Sequence, residues 1–224
     1  MNQQELKLYS LGIDKEKFGK IYTTVDFGNV NHWYDKDRRD WDNNDLNDNQ
    51  KLIIDIQKLS SFIDLFSEQK RFYYGWHKRI KSSWHILIEA ENKGFIKCTK
   101  EIQYIKHYID DIELASSSRT IIEDADGKYI KIPKSNFDVE ISIDAIRLIE
   151  RYDTFCLLSG DSDFTRLINF LGKKGKKIII IASGQIFHTL KEQAEKYGIY
   201  INAQKIKGSI ATIKTTQIET PPIK

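Results

Sequence analysis

The segment from Thr154 to Ala182 constrains the fold more than any other. It reads as an apolar run, TFCLL, a break at SGDSD, apolar residues at helical spacing from Phe164 to Leu171, a basic turn KKGKK, and a second apolar run, IIIIA. Short apolar runs bounded by turn signals are buried strands, and four consecutive isoleucines suit a strand covered on both faces. Strand, helix and strand in that order make a right-handed parallel crossover, so the chain is of the α/β class with a central, mostly parallel sheet. The break carries Asp161 and Asp163 where the first strand hands over to its helix. In an open parallel sheet that position is the carboxyl-end crevice where ligands bind.

A second strand ends in the same way. IYTTVDFGN, residues 21–29, is apolar up to Asp26 and then turns through Gly28 and Asn29. A cap from Asp161 or Ser162 would account for one such break, and Asp163 is the first aspartate to assign to capping. Two strands that each deliver an aspartate to one edge make a constellation. A third contribution comes from NFDVEISIDAIRLIERY, residues 136–152, a helix expected to turn Val139, Ile143, Ile146 and Ile149 inward, with Asp138 in its first turn. Asp144 lies nearly two turns further along and is a possible additional acidic member. Carboxylates crowded at one point repel each other unless protons or a cation relieve them, and hard oxygen donors favour Mg2+ or Mn2+. No histidine or cysteine cluster points to zinc.

At 224 residues, with 40% hydrophobic and 30% charged residues, the chain fits one compact domain with extensions and is neither disordered nor fibrous. The net charge of +3 permits a polyanionic partner without requiring one. Residues 1–19 read as an N-terminal arm or helix. DKDRRDWDNNDLND, residues 35–48, reads as a solvated loop that lacks the glycine and glutamate of an EF-hand. Leu52, Ile53, Ile56, Leu59, Phe62, Ile63 and Phe66 predict one amphipathic helix, and KRFYYGW, residues 70–76, a strand followed by the basic group His77, Lys78, Arg79 and Lys81. A helix over 84–93, stopped by Gly94, leads to a strand at 95–99. RTIIEDADGKYIKI, residues 119–132, predicts an inserted hairpin turning at Asp126-Gly127. A helix near 185–196, a strand at 198–202 and a flexible tail over 203–224 complete the expectation.

Four blocks in this order, VDFGNVN, YYGW, NFDVEISIDAI and LLSGDSDFTRLINFLGKKGKKIIII, resemble the NYN domain of the PIN-like nuclease superfamily, in its LabA-like branch. The resemblance covers roughly residues 20–202. It implies a PIN-like three-layer α/β/α sandwich and metal-dependent ribonuclease activity, with Asp26, Asn29, Asp138, Asp161 and Asp163 at the family's acidic and amide positions. Asp26, Asp138, Asp161 and Asp163 are then the ligands of Mg2+ or Mn2+. His77, Lys78, Arg79, Lys81 and Arg166 are candidates for holding RNA phosphates, and Trp33, Tyr34 or Trp76 for stacking on bases. The alternative is a non-catalytic NYN module that binds RNA or a regulatory partner. RNA, single-stranded or structured, is the expected partner, with a homodimer left open. No membrane contact is expected, since no apolar run approaches the roughly 20 residues a span needs, and the expected location is cytoplasmic. A dehalogenase-type phosphatase is excluded because VDFGN lacks the second acid of its nucleophile strand.

Cys98 and Cys156 fall in separate predicted strands, which gives neither a metal spacing nor a disulfide framework. Thiol titration under denaturing, non-reducing conditions is expected to count two free groups; a count of zero would remove the reducing-compartment reading.

Overall fold

The computed structural model describes residues 3–78, 80–109, 120–184 and 188–215. Its strands are β1 (Ile21–Asp26), β2 (Gln50–Ile54), β3 (Gln69–Tyr73), β4 (Ile96–Cys98), β5 (Gln103–Tyr108), β6 (Ile121–Asp124), β7 (Gly127–Lys134), β8 (Thr154–Leu158), β9 (Lys177–Ala182), β10 (Gly198–Asn202) and β11 (Ala211–Thr215). The helices are α1 (Gln3–Ser10), α2 (Lys15–Phe18), α3 (Phe27–Val30), α4 (Ile56–Asp64), α5 (Lys81–Asn92), α6 (Asp138–Arg147), α7 (Thr165–Lys173), α8 (His188–Tyr197) and α9 (Lys207–Ile210).

The central sheet has six strands in the order β10-β9-β8-β1-β3-β4, and every pair in it is parallel. The period of two along each strand divides the core into two layers. Cys156 and Leu158 of β8 and Ile179 and Ile181 of β9 join one cluster, which takes Leu8 of α1, Leu59 and Ile63 of α4 and Leu87 of α5. Phe155, Leu157, Ile178 and Ile180 join the other, with Ile141 of α6, Ile168 of α7 and Leu190 of α8. All four isoleucines of β9 are fully buried, as a strand covered on both faces requires. The three-layer α/β/α expectation holds. From β1 the chain moves one way through β3 to β4, and later returns to the other side of β1 through β8, β9 and β10. Right-handed crossovers taken in opposite directions put their helices on opposite faces. That is why α4 and α5 pack in one layer and α6, α7 and α8 in the other.

Three expectations need correcting. The single helix expected over 52–66 begins only at Ile56, because Asp55 caps it by accepting from the Lys58 N–H at 2.9 Å. Residues before the cap form β2, in which Leu52 and Ile54 are buried, and β2 pairs with β11 in antiparallel register from Ile54–Ala211 to Gln50–Thr215. The flexible tail is therefore overturned for residues 203–215: a 3-10 turn at Ala203–Ile206, α9 and β11 bury Ala203, Ile206, Ile210 and Ala211. The remainder of that tail lies outside the described residues. The loop at 35–48 is largely exposed, as expected, and is tethered to this segment by Lys207 Nζ, which donates to Asp37 and to the Arg39 carbonyl, each at 3.0 Å. Finally, α6 buries Ile141 and Ala145, with Leu148 just beyond its end, and leaves Val139 at 66%, Ile143 at 56% and Ile146 at 45% exposure. Two apolar stripes share this short helix, and periodicity alone cannot say which one meets the sheet.

The inserted hairpin is present as β6 and β7, with Asp124 opposite Gly127, and a third strand unseen in the sequence, β5, pairs along β7 in a separate antiparallel sheet of order β5-β7-β6. Gly94 follows α5 with φ +82°, the left-handed conformation a helix-ending glycine supplies. Cys98 and Cys156 are unpaired, and burial pushes the Cys156 thiol up to about 12. Among the described residues no helix is long and apolar enough to cross a membrane.

Because Ile210 is fully buried among the core residues of the α4 layer, Ile210→Ala is expected to cost about 2–4 kcal/mol of unfolding free energy. Urea denaturation measures it; a loss under about 0.5 kcal/mol, as for a surface position, would return this segment to a tail.

Candidate active site

Strand order reverses between β1 and β8, so a crevice opens at their carboxyl ends. Into it β1 delivers Asp26, the turn after β8 delivers Asp161 and Asp163, and the first turn of α6 delivers Asp138. The crevice is a cleft of about 430 Å³ whose walls include Asp26, Asn29, Tyr74, Ile102, Asn136 and Asp138. Carboxylate oxygens of Asp138, Asp161 and Asp163 lie within 4.8 Å of one another. Asp26 lines the same cleft outside that triplet and is more deeply buried.

Local hydrogen bonds hold the set in place. Ser159 is fully buried; its Oγ donates to Asp26 Oδ2 at 3.0 Å and accepts from the Asp161 N–H at 3.3 Å. Asn29 Oδ1 accepts from the Gly160 N–H at 3.2 Å and from Trp33 Nε1–H at 2.9 Å, tying the turn after β1 to the turn after β8. Asp161 does cap the following 3-10 turn, through Oδ1 and the Asp163 N–H at 3.0 Å. Capping uses one lone pair and leaves the carboxylate aimed at its neighbours. Asn136 Oδ1 caps Asp138 by accepting its N–H at 2.9 Å. Gly160 sits at an ordinary φ with room for a Cβ, so the sharp turn expected of glycine is not what this position supplies.

Crowding shows in the protonation equilibria. Burial pushes the Asp26 carboxyl up to about 6, and the charges on Asp138 and Asp161 push the same way while Ser159 opposes them. Asp138 is raised as well, first by burial and then by Asp161 and Asp163, with Asn136 and Lys100 opposing. An all-oxygen set in which like charges crowd is the donor chemistry a hard dication satisfies, so the residues fit Mg2+ or Mn2+.

The other candidates are placed differently. Asp144 accepts from Tyr73 Oη at 2.7 Å, Arg71 at 3.0 Å and Arg147 at 2.7 Å; its oxygens are committed below the cleft, between α6 and the sheet. Tyr34 is buried with its hydroxyl on the Ala203 carbonyl, and Trp33 is nearly buried on Asn29, so neither is presented for base stacking. Trp76 packs on Trp84 at 4.8 Å between ring centres. Lys78 pairs with Glu101 at 3.5 Å, Lys81 and Arg166 are exposed in the first turns of α5 and α7, and Arg79 lies outside the described residues. Sequence reasoning missed Ser159, legible as the hydroxyl leading the SGDSD turn, and Lys100. Lys100 Nζ donates to the Asn136 carbonyl and to Glu140 at 2.7 Å, an approach made by the tertiary fold alone. A larger groove of about 700 Å³, between α1, α4 and α9, has no carboxylate in its lining.

The family model of the NYN domain matches residues 20–202. The chain belongs to the NYN domain family. NYN domains are PIN-like nucleases, and the crevice holds the acidic cluster compatible with that family. The chain is similar to the Low amplitude and bright protein LabA of Synechococcus elongatus, 37% identical over 65 residues, which are 29% of this chain and 35% of LabA. The match thus spans about a third of that relative. A solved structure of a protein of unknown function from Vibrio parahaemolyticus superposes with a TM-score of 0.54 at 19% identity, over 86% of this chain and 96% of that one, which shows a shared fold.

A raised Asp26 favours its protonated form in the folded state, so its contribution to stability is full below the unfolded value near 4 and is lost as pH rises through about 6. In EDTA, Asp26→Asn is therefore expected to be about 2–3 kcal/mol more stable than the parent at pH 7.5 and nearly equal to it at pH 4. Equal stability at both pH values would mean that Asp26 is not under strain.

Proposed function

We propose that this NYN domain is an Mg2+- or Mn2+-dependent endoribonuclease acting on single-stranded or structured RNA. The observation that carries the reading is the triplet Asp138, Asp161 and Asp163, drawn from two separate segments to within 4.8 Å beside the half-buried Asp26. Asp138, Asp161 and Asp163 would hold the cation. When bound, it supplies charge neutralisation at the phosphodiester and a more acidic water.

The chain's own groups do the rest. Asp26, at about 6 and hydrogen-bonded to Ser159, is poised near neutral pH to take a proton from the attacking water at its carboxylate. Asn29 and Ser159 are positioning residues that lock the β1 and β8 turns together. Lys100, held by Glu140 and the Asn136 carbonyl, is a positioning residue that fixes the start of α6 and hence Asp138. Cytoplasmic RNA is the expected partner class.

Asp161→Asn decides between catalysis and capping. Asparagine can still accept the Asp163 N–H, so the fold is expected to persist, whereas a neutral amide is a poor ligand for a hard dication and cleavage should fall about 100-fold or more. The measurement is cleavage of labelled RNA with saturating Mn2+, with EDTA as control. Cleavage at the parental rate would make Asp161 a cap only. A parent inert with every divalent metal would leave the non-catalytic module.

A further inference from the structure

The inserted sheet is rooted in the cleft wall. Ile102, immediately before β5, and Ser135 and Asn136, immediately after β7, all line the cleft, and the Ile102 N–H donates to the Trp76 carbonyl at 2.8 Å. From that root β5 runs outward over six residues, roughly 20 Å of strand.

Alternation sends Tyr104, Lys106 and Tyr108 of β5 to one face, and their register partners there are Pro133, Lys131 and Tyr129 of β7. Contacts confirm the shared face: Tyr108 and Tyr129 rings lie 5.6 Å apart, and Lys106 Nζ sits 4.7 Å from the Tyr129 ring centre. At the root end, the His77 ring stands edge-on to Tyr104 at 5.3 Å. Tyr104 remains 42% and Tyr108 43% exposed. On this face β5 and β7 carry Lys106 and Lys131 and no carboxylate, while Lys128 alternates to the other face. At the turn end of the hairpin Asp124 of β6 pairs with Lys106 at 2.5 Å, and the Tyr108 hydroxyl donates to Asp124 at 3.3 Å and to Asp126 at 3.4 Å, which leaves the Tyr108 ring face open. Cross-strand aromatic pairs also stabilise a small sheet, but that role buries rings and does not call for a carboxylate-free pair of strands.

We propose that this face is a platform for single-stranded RNA, stacking bases on Tyr104 and Tyr108 and leading the strand past His77 into the cleft. The inference rests on the ribonuclease reading for the identity of its ligand. Open aromatic rings are the chemistry that holds unpaired nucleotides, and Lys131, exposed on the same face, is offered to their phosphates. Duplex RNA hides its bases and gains nothing from the two tyrosines.

The test is fluorescence anisotropy of a labelled oligouridylate on the Asp161→Asn chain in EDTA, where nothing is cut. Tyr104→Ala and Tyr108→Ala are each expected to weaken binding about tenfold. The phenylalanine variants should bind like the parent, because the ring does the stacking. Lys131→Gln should lower the slope of log affinity against log salt by about 0.7, and it decides the matter if an alanine variant loses the sheet by circular dichroism. Alanine variants that bind as tightly as the parent, or a preference for duplex RNA, would overturn the platform. Cleavage by the chain with Asp161 intact is read separately. Cutting together with tyrosine-independent binding overturns the platform alone, tyrosine-dependent binding without any cutting overturns the nuclease reading alone, and neither binding nor cutting overturns both.

Discussion

The structure depends on one constraint: a parallel sheet buried on both faces must carry right-handed crossovers, and these leave a crevice where the strand order reverses. Here the reversal falls between β1 and β8. Those two strands are also the ones whose apolar runs end in aspartates, so the burial that holds the sheet together aims Asp26 and Asp161 at one point. The helix that feeds β8 adds Asp138 from its first turn. Packing of Leu157, Ile178 and Ile180 under α6 and α7 is thus what sets the carboxylate geometry.

Concentrating negative charge there has a cost that the fold offsets locally. Ser159 bridges Asp26 and the Asp161 backbone, Asn29 clamps the two turns, and Asn136 caps Asp138. Each of these groups is neutral and short. They orient the carboxylates without discharging them, which leaves Asp26 raised and keeps the triplet able to respond to a cation. Asp144 shows the contrast: on the same helix, it is fully answered by Arg71, Arg147 and Tyr73, and it serves as the tie between α6 and the sheet.

The inserted three-stranded sheet and the β2–β11 pair are the additions to this frame. Both are antiparallel and both involve a partner strand that local patterning does not mark. β5, QYIKHY, has no alternation of apolar and polar residues that separates its faces, and all six of its residues are exposed. β2 hid inside a helical pattern because Leu52, Ile53 and Ile56 satisfy both periods; Asp55, the cap that parts them, was the readable signal. The N-terminal α1 and the segment 203–215 then close over the α4 layer, turning an expected tail into core.

By itself the sequence determined the class of fold, the β8–α7–β9 crossover and the aspartates of the crevice, because a buried strand needs an apolar run and a strand end needs a break. Only the tertiary structure decided which three stand within reach of one another, that Asp144 is spent on Arg71, that Ser159 and Lys100 belong to the site, and which stripe of α6 faces inward. Those outcomes turn on contacts between residues far apart in the chain, such as Ser159 with Asp26 or Ile54 with Ala211. No local period encodes such distances; the packing of layers on a twisted sheet does.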